Sequence, residues 1–168
     1  MDAPGEVETA AGVALRAPRP GELTFLLHRH MQVMAPAYGW DHRYEAHLTQ
    51  IVADFLSRHD PQRERFWVAE RDGRVLGCVG LTRQAERTGR LRLLFVEPEA
   101  RGLGLGRRLI AHCLGFARTA GYAEVVLWTV DVLTAARRLY AEAGFQLTGS
   151  QPSELAEGMA DETWRLAL

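Results

Sequence analysis

Apolar residues recur along this chain with one of two periods, and the switches between them divide it into elements. Val13-Ala14-Leu15-Arg16-Ala17 reads as a short first strand, stopped by Pro18 and Pro20. Leu23, Leu26, Leu27, Met31 and Met34 then fall at helical spacing, ending near Pro36. A second helix over about Arg43 to Arg58 gathers Leu48, Ile51, Val52, Phe55 and Leu56 into one buried stripe. Phe66 to Glu70 reads as a strand, and the Asp72-Gly73 pair favours a tight hairpin turn into a partner from Val75 to about Arg83. Gly77 and Gly80 inside that partner mark either a bulge or the close approach of another backbone or a ligand. After a connection at Glu86 to Gly89, Leu91 to Val96 is too apolar to be half-exposed and predicts a central strand.

Helix and strand alternate in the second half. Leu105 to Ala120 carries Leu109, Ile110, Cys113, Leu114 and Ala117 on one side, with Gly121 where a left-handed cap belongs. Glu124 to Thr129 reads as a buried strand and Leu133 to Ala143 as a helix closed by Gly144. This strand-helix-strand-helix spacing implies a parallel pair within a mixed sheet. Phe145 to Thr148 and Glu162 to Leu166 close the chain as strands.

Composition narrows what such a molecule can do. With 168 residues, 47% hydrophobic and 24% charged, the chain suits one compact domain over residues 13–168. Residues 1–12 lack a periodic apolar pattern and are expected as a disordered leader. The acidic start is the wrong chemistry for a secretory signal, and no apolar run approaches the roughly 18 residues of a membrane span. Cys78 and Cys113 have no partner at metal-ligand spacing and the six histidines form no metal motif, so no metal and a cytoplasmic location are expected. A formal net charge of -1 offers no field for nucleic acid. All 20 basic residues are arginine, and without lysine neither a Schiff-base enzyme nor an ordinary P-loop NTPase can be built.

The stretch richest in chemistry is Val96 to Arg108, between the central strand and a strongly patterned helix. Gly102, Gly104 and Gly106 let the backbone curl so that successive N–H groups point at one centre. The following helix puts the positive end of its dipole at the same place, which makes a diphosphate site. The dinucleotide fingerprint G-x-G-x-x-G fails in both registers, because its third glycine falls on Arg107 or Leu109.

Two segments together resemble a known family. Arg101-Gly102-Leu103-Gly104-Leu105-Gly106, led in by Val96-x-Pro98, is similar to the R/Q-x-x-G-x-G/A loop of the GNAT acyltransferase superfamily. Ala136 to Phe145 resembles that family's A-x-x-L-Y-x-x-x-G-F segment. Leu91 to Phe95, Leu127-Trp128-Thr129 and Glu162-Thr163-Trp164 further resemble the acetyltransferase half of fusions with a MarR-type winged-helix regulator, whose DNA-binding half is not expected in these 168 residues.

The resemblance implies an α/β GNAT fold with a twisted mixed sheet of six to seven strands flanked by about four helices. It implies an acetyl-CoA-dependent N-acetyltransferase that passes an acetyl group to a primary amine of a small molecule or peptide. Backbone groups of Leu94, Phe95 and Val96 would pair with the pantetheine arm, and an N–H of Leu94 or Phe95 would face the developing oxyanion. Arg101, Gly102, Leu103, Gly104, Leu105, Gly106 and Arg107 would hold the pyrophosphate, with Ala136 alongside the cofactor. Arg107 and Arg108 stand either beside the ribose phosphate or in solvent. Tyr140 would protonate the departing thiolate. A base must strip the acceptor ammonium, and Glu97 is taken for it, with Glu86 and Asp131 as the other candidates. Tyr38, Trp40 and Trp128, with Asp41 and the loop from Pro152 to Asp161, either enclose the acceptor or simply pack.

Two positions depart from the family pattern: Leu133 stands where asparagine is frequent, and Arg90 and Arg92 stand where some members carry a carboxylate. They motivate the alternative of a non-catalytic acyl-CoA-binding sensor or interaction domain. A homodimer is left open.

Overall fold

The computed structural model describes residues 7–9 and 11–168, with backbone alone at 7–9. Its elements run β1 (Val7–Thr9), β2 (Val13–Arg16), α1 (Glu22–Tyr38), α2 (His42–Arg58), β3 (Arg65–Arg71), β4 (Arg74–Ala85) and β5 (Thr88–Val96). A 3-10 turn at Pro98–Ala100 leads to α3 (Leu105–Thr119), β6 (Glu124–Val130), α4 (Thr134–Glu142), β7 (Gln146–Pro152) and β8 (Ala160–Ala167). The strands form one sheet in the order β1-β2-β3-β4-β5-β6-β8-β7. Seven of them match the expected count. The eighth, Val7–Thr9, lies within the stretch expected as a leader and pairs antiparallel with Val13–Leu15, while residues 1–6 and 10 of that stretch lie outside the described residues.

Each face of the sheet is covered, so β3 is buried on both sides. Trp67 and Ala69 join Leu109, Ile110 and Cys113 of α3 in the larger core. Phe66 packs with Leu23, Val52 and Phe55 of α1 and α2, and Val68 packs with Leu26, Cys78 and Phe95. The β3–β4 turn takes left-handed φ at Asp72 (51°) and Gly73 (75°), the geometry an Asp-Gly hairpin needs. Pro36 lies inside α1 rather than ending it; the helix stops two residues later, where Gly39 adopts φ 69°.

The site is created by two irregularities in β5. Only Thr88–Arg90 pairs with Glu124–Val126 of β6, in parallel, and beyond Arg90 the two strands part. On the other edge the β4 register slips between Cys78 and Gly80, which face Phe95 and Arg92, so that Leu93 and Leu94 oppose a single residue. Leu93 takes φ 48° there, and the Cys78 thiol donates to its carbonyl at 3.2 Å. The extra residue breaks the alternation: Leu93 packs toward α1 and α2, whereas Leu91 and Leu94 join the α3 core. Gly77 is required beside this bulge, because a Cβ there would run into the Phe95 carbonyl; Gly80 leaves room for the Phe66 ring. Both glycines serve close approach by the protein itself.

Candidate active site

The parting of β5 and β6 opens into a cavity of roughly 450 Å³ lined from α1, α2, β5, the glycine loop, β6 and α4. Arg92, Leu93 and Leu94 are only partly buried although β5 is central, because the cavity lies against them. Leu94, Phe95 and Val96 border the opening on the β5 edge that β6 has left, as an added strand would need.

At one end of the cavity stand Arg101, Gly102, Gly104, Leu105, Gly106 and Arg107. Gly102 and Gly104 take φ 80° and 74°, and a Cβ on either would meet nothing within 4 Å. Gly104 also caps α3, and no side chain accepts from the first-turn N–H groups. The first intrahelical bond near that end is Arg108 N–H to Gly104 O at 3.2 Å, which leaves the amides of Leu105, Gly106 and Arg107 without a helical acceptor. By contrast α2 is capped by the Asp41 carboxylate, which accepts from the Arg43 N–H at 2.9 Å. The residues present therefore fit a phosphate ester: unbonded amides, a helix dipole and open space coincide. Gly106 has a further reason to lack a side chain, since its Cβ would come within 2.7 Å of Leu139 on α4.

Tyr140 and Ala136 of α4 line the same cavity. Tyr140 is buried, with Phe145 and Trp164 rings 6.0 and 6.5 Å away, and burial raises its phenol above the ordinary value. It remains protonated over any working pH.

Several expected residues lie elsewhere. Glu97 is buried and does not line the cavity; both its oxygens are taken by Arg29 of α1, at 2.8 and 2.9 Å, which corrects its assignment as the base. Glu86 is on the surface with Arg63, and Asp131 accepts from the Ala160 N–H at 3.0 Å. Leu103 is exposed and outside the lining. Of the aromatic candidates, Tyr38 and Trp128 line the cavity and Trp40 does not, because its ring is stacked on Tyr44 at 3.8 Å. Asp41 is occupied as the cap of α2, and the loop 152–161 contributes nothing to the lining. Arg107 lines the loop end and is tied to Glu142 at 2.6 Å, while Arg108 lies outside the lining.

The structure adds residues that sequence reading had set aside. His30 and His47 line the cavity, and each has a buried Nε2 without a hydrogen-bond partner. Burial and Arg101 lower His30 to about 4; its ring lies between Phe95 and Trp40, with centroids 5.3 and 6.4 Å away. Burial, then Arg92 and Arg90, lower His47, whose ring meets Trp128 edge-on at 5.3 Å. Arg90 and Arg92 line the same region. Leu133, at the start of α4, also lines it and offers no polar cap. No cluster of three metal-ligating side chains occurs among the described residues.

Known proteins bear on this geometry. The chain is 42% identical over 107 residues to human N-acetyltransferase 8, an alignment covering 61% of this chain and 46% of that protein. To the mycothiol acetyltransferase of Cellulomonas flavigena it is 34% identical over 160 residues, covering 86% and 44%. The chain thus spans about half the length of the curated relatives it matches. In fold it is similar to a Salmonella typhimurium protein solved with its cofactor acetyl-CoA, with TM-score 0.71, 22% identity and coverage of 94% of this chain and 95% of that one. Residues 27–145, which run from α1 through the glycine loop to the end of the Tyr140 segment, match the family described as Acetyltransferase (GNAT), and the chain belongs to that family.

Proposed function

We propose that the protein is an N-acetyltransferase that uses acetyl-CoA and acts on a primary amine by direct transfer. The observation that carries this reading is the meeting, in one cavity, of an uncapped helix start, the parted β5 edge and Tyr140. Bound acetyl-CoA supplies a thioester whose carbonyl carbon takes the amine nitrogen as the C–S bond breaks, leaving an amide and the CoA thiolate.

The chain's own residues do the rest. Amides of Leu105, Gly106 and Arg107, with the Gly102 and Gly104 turn, hold the pyrophosphate, and the Leu94 to Val96 backbone aligns the pantetheine arm. Tyr140 holds a proton at its Oη and donates a hydrogen bond to the sulfur. Since a thiol ordinarily ionises near 8.5, below any phenol, a hydrogen bond suffices and full proton transfer is not required. His47 takes the place vacated by Glu97. Its Nε2 is free of partners, and burial beside Arg90 and Arg92 of β5 keeps the ring neutral and ready to accept the acceptor's proton; Asp161 of β8 opposes that effect more weakly. Cys78 and Cys113 are buried free thiols, consistent with a reducing, cytoplasmic setting.

Release of free CoA thiol over a panel of amines tests the reading. Tyr140→Phe is expected to lower kcat roughly 10- to 150-fold, the worth of a hydrogen bond to a charged group, with CoA affinity nearly unchanged. His47→Gln is expected to lower kcat and remove the acid limb of the rate profile. That limb lies below the ordinary histidine value of about 6.5, since rate falls as the ring gains a proton. Tight CoA binding with no turnover on any amine would point instead to an acyl-CoA sensor.

A further inference from the structure

Among the described residues, ten of the twenty arginines are ion-paired with a carboxylate. Arg16 meets Glu22 and Glu70, Arg29 meets Glu97, Arg107 meets Glu142, and Arg137 meets Glu162. Arg90 and Arg92 differ from these in lining the cavity, half-buried and side by side, with no carboxylate partner among the described residues. There the Arg90 guanidinium donates to the amide oxygen of Gln84 at 3.2 Å, and the Arg92 Nε to the Thr82 hydroxyl at 3.2 Å. The one carboxylate that Arg92 senses is Asp54, which is already engaged by Gln50 and Arg58. Burial lowers both guanidiniums, Arg92 to about 10, and Arg90 adds to the effect on Arg92.

Placing two like charges side by side in a partly dry wall is costly unless something of opposite sign completes them. They are two residues apart on β5, ahead of the bulge, and so project to one face. Both line the cavity, facing His47 of α2, whose proton affinity both depress. The site is separate from the phosphate loop, because Arg92 precedes Val96 by four strand residues, about 13 Å. An amine arriving as a bare ammonium would be repelled by this pair. One that carries its own anion would be drawn in, with the cationic end left for the thioester side.

We propose that Arg90 and Arg92 bind an anionic group, carboxylate or phosphate, on the acceptor, so that the substrate class is an amine bearing an acid. This deepens the acetyltransferase reading and rests on it for the identity of the amine. Guanidiniums suit such groups because their planar donors match two anion oxygens at once.

Two matched pairs of probes test it on the full chain by calorimetry: phenylalanine against phenethylamine, and phosphoethanolamine against ethanolamine. The acid-bearing member of at least one pair is expected to bind ten-fold or more tighter, and the pair that shows it identifies carboxylate or phosphate. Arg90→Gln, Arg92→Gln and the double variant are expected to erase that preference while CoA affinity, measured separately, stays unchanged and reports intact folding. Equal affinity within both pairs, no binding of any probe, or a preference that survives the double variant would each overturn the proposal. The two readings separate cleanly. Preferential binding of the acid with no CoA thiol released retains the anion site and sinks the transferase; equal acetylation of neutral amines does the reverse.

Discussion

His30 shows how one side chain ties stability to pH in this cavity. Its ring is buried among Phe95 and Trp40, its Nε2 has no partner, and its proton affinity falls from the ordinary 6.5 to about 4. The unfolded chain therefore binds the proton more readily than the folded one. The stability that follows is whole above about pH 6.5 and is lost as pH falls toward 4, in total roughly 3 kcal/mol. Urea unfolding of the wild type is expected to lose about 2 kcal/mol between pH 7 and pH 5 through this group. His30→Phe keeps a ring in the stack and should show a shallower slope over that interval, with His47 and His112, both lowered by burial, supplying what remains. Identical slopes in the two proteins would remove His30 from the account. Glu97 teaches the converse lesson at the same scale: a carboxylate next to a cofactor loop was an attractive base on paper, but Arg29, 68 residues away in sequence, had claimed both its oxygens.

The decisive element is β5, and its usefulness comes from being an imperfect strand. A bulge at Leu93 and the loss of pairing with β6 beyond Arg90 expose backbone in the middle of the sheet, where ladder hydrogen bonds would otherwise close it. Gly77 allows β4 to follow that irregular path. Gly77→Ala would drive a methyl into the Phe95 carbonyl, and since the obstacle is backbone it cannot swing aside. A loss of about 1–3 kcal/mol is expected in denaturant melts, with weaker CoA binding because Phe95 and Val96 move. Gly115→Ala is the opposite case. That helical glycine of α3 has nothing within 4 Å of a Cβ, so the change should stabilise by about 0.4–1 kcal/mol with CoA affinity intact. Periodicity made the helices, the hairpin and the central strand legible, and the glycine loop could be read because its residues adjoin in sequence. The irregularity was legible on the β4 side, where Gly77 and Gly80 mark a bulge or a close approach, but not on β5, for a leucine at positive φ leaves no local signal. Nor was the meeting of His47 with Arg90 and Arg92, which α2 and β5 bring together only in three dimensions. For Asp41 and Trp40 the sequence leaves two readings open, pocket or packing, and only the fold decides for packing, since capping and ring stacking use the same residue types as an acceptor pocket.

At the scale of the molecule, the cavity is a seam between two packed bodies of side chains, the α3–α4 core and the α1–α2 clusters, joined where Arg29 on α1 grips Glu97 just past β5. A ligand that fills such a seam binds the folded chain and has no counterpart in the unfolded one, so occupancy must raise thermal stability. At a hundred times its dissociation constant, CoA is expected to add about 2.7 kcal/mol, or roughly 5–10 °C in Tm for a chain of this size. Gly104→Val should abolish that gain, because a β-branched residue is strained at φ 74° and its side chain stands where α3 begins. Glu97→Gln should behave differently. Loss of the buried ion pair lowers Tm without ligand, since Arg29 is left without its charged partner, yet the CoA-induced gain should persist, for neither oxygen of Glu97 faces the cavity. Scanning calorimetry of the three proteins with and without CoA separates the outcomes. A full gain in Gly104→Val would show that the phosphates are held elsewhere, and a lost gain in Glu97→Gln would show that the clamp, and not the loop alone, shapes the cofactor end.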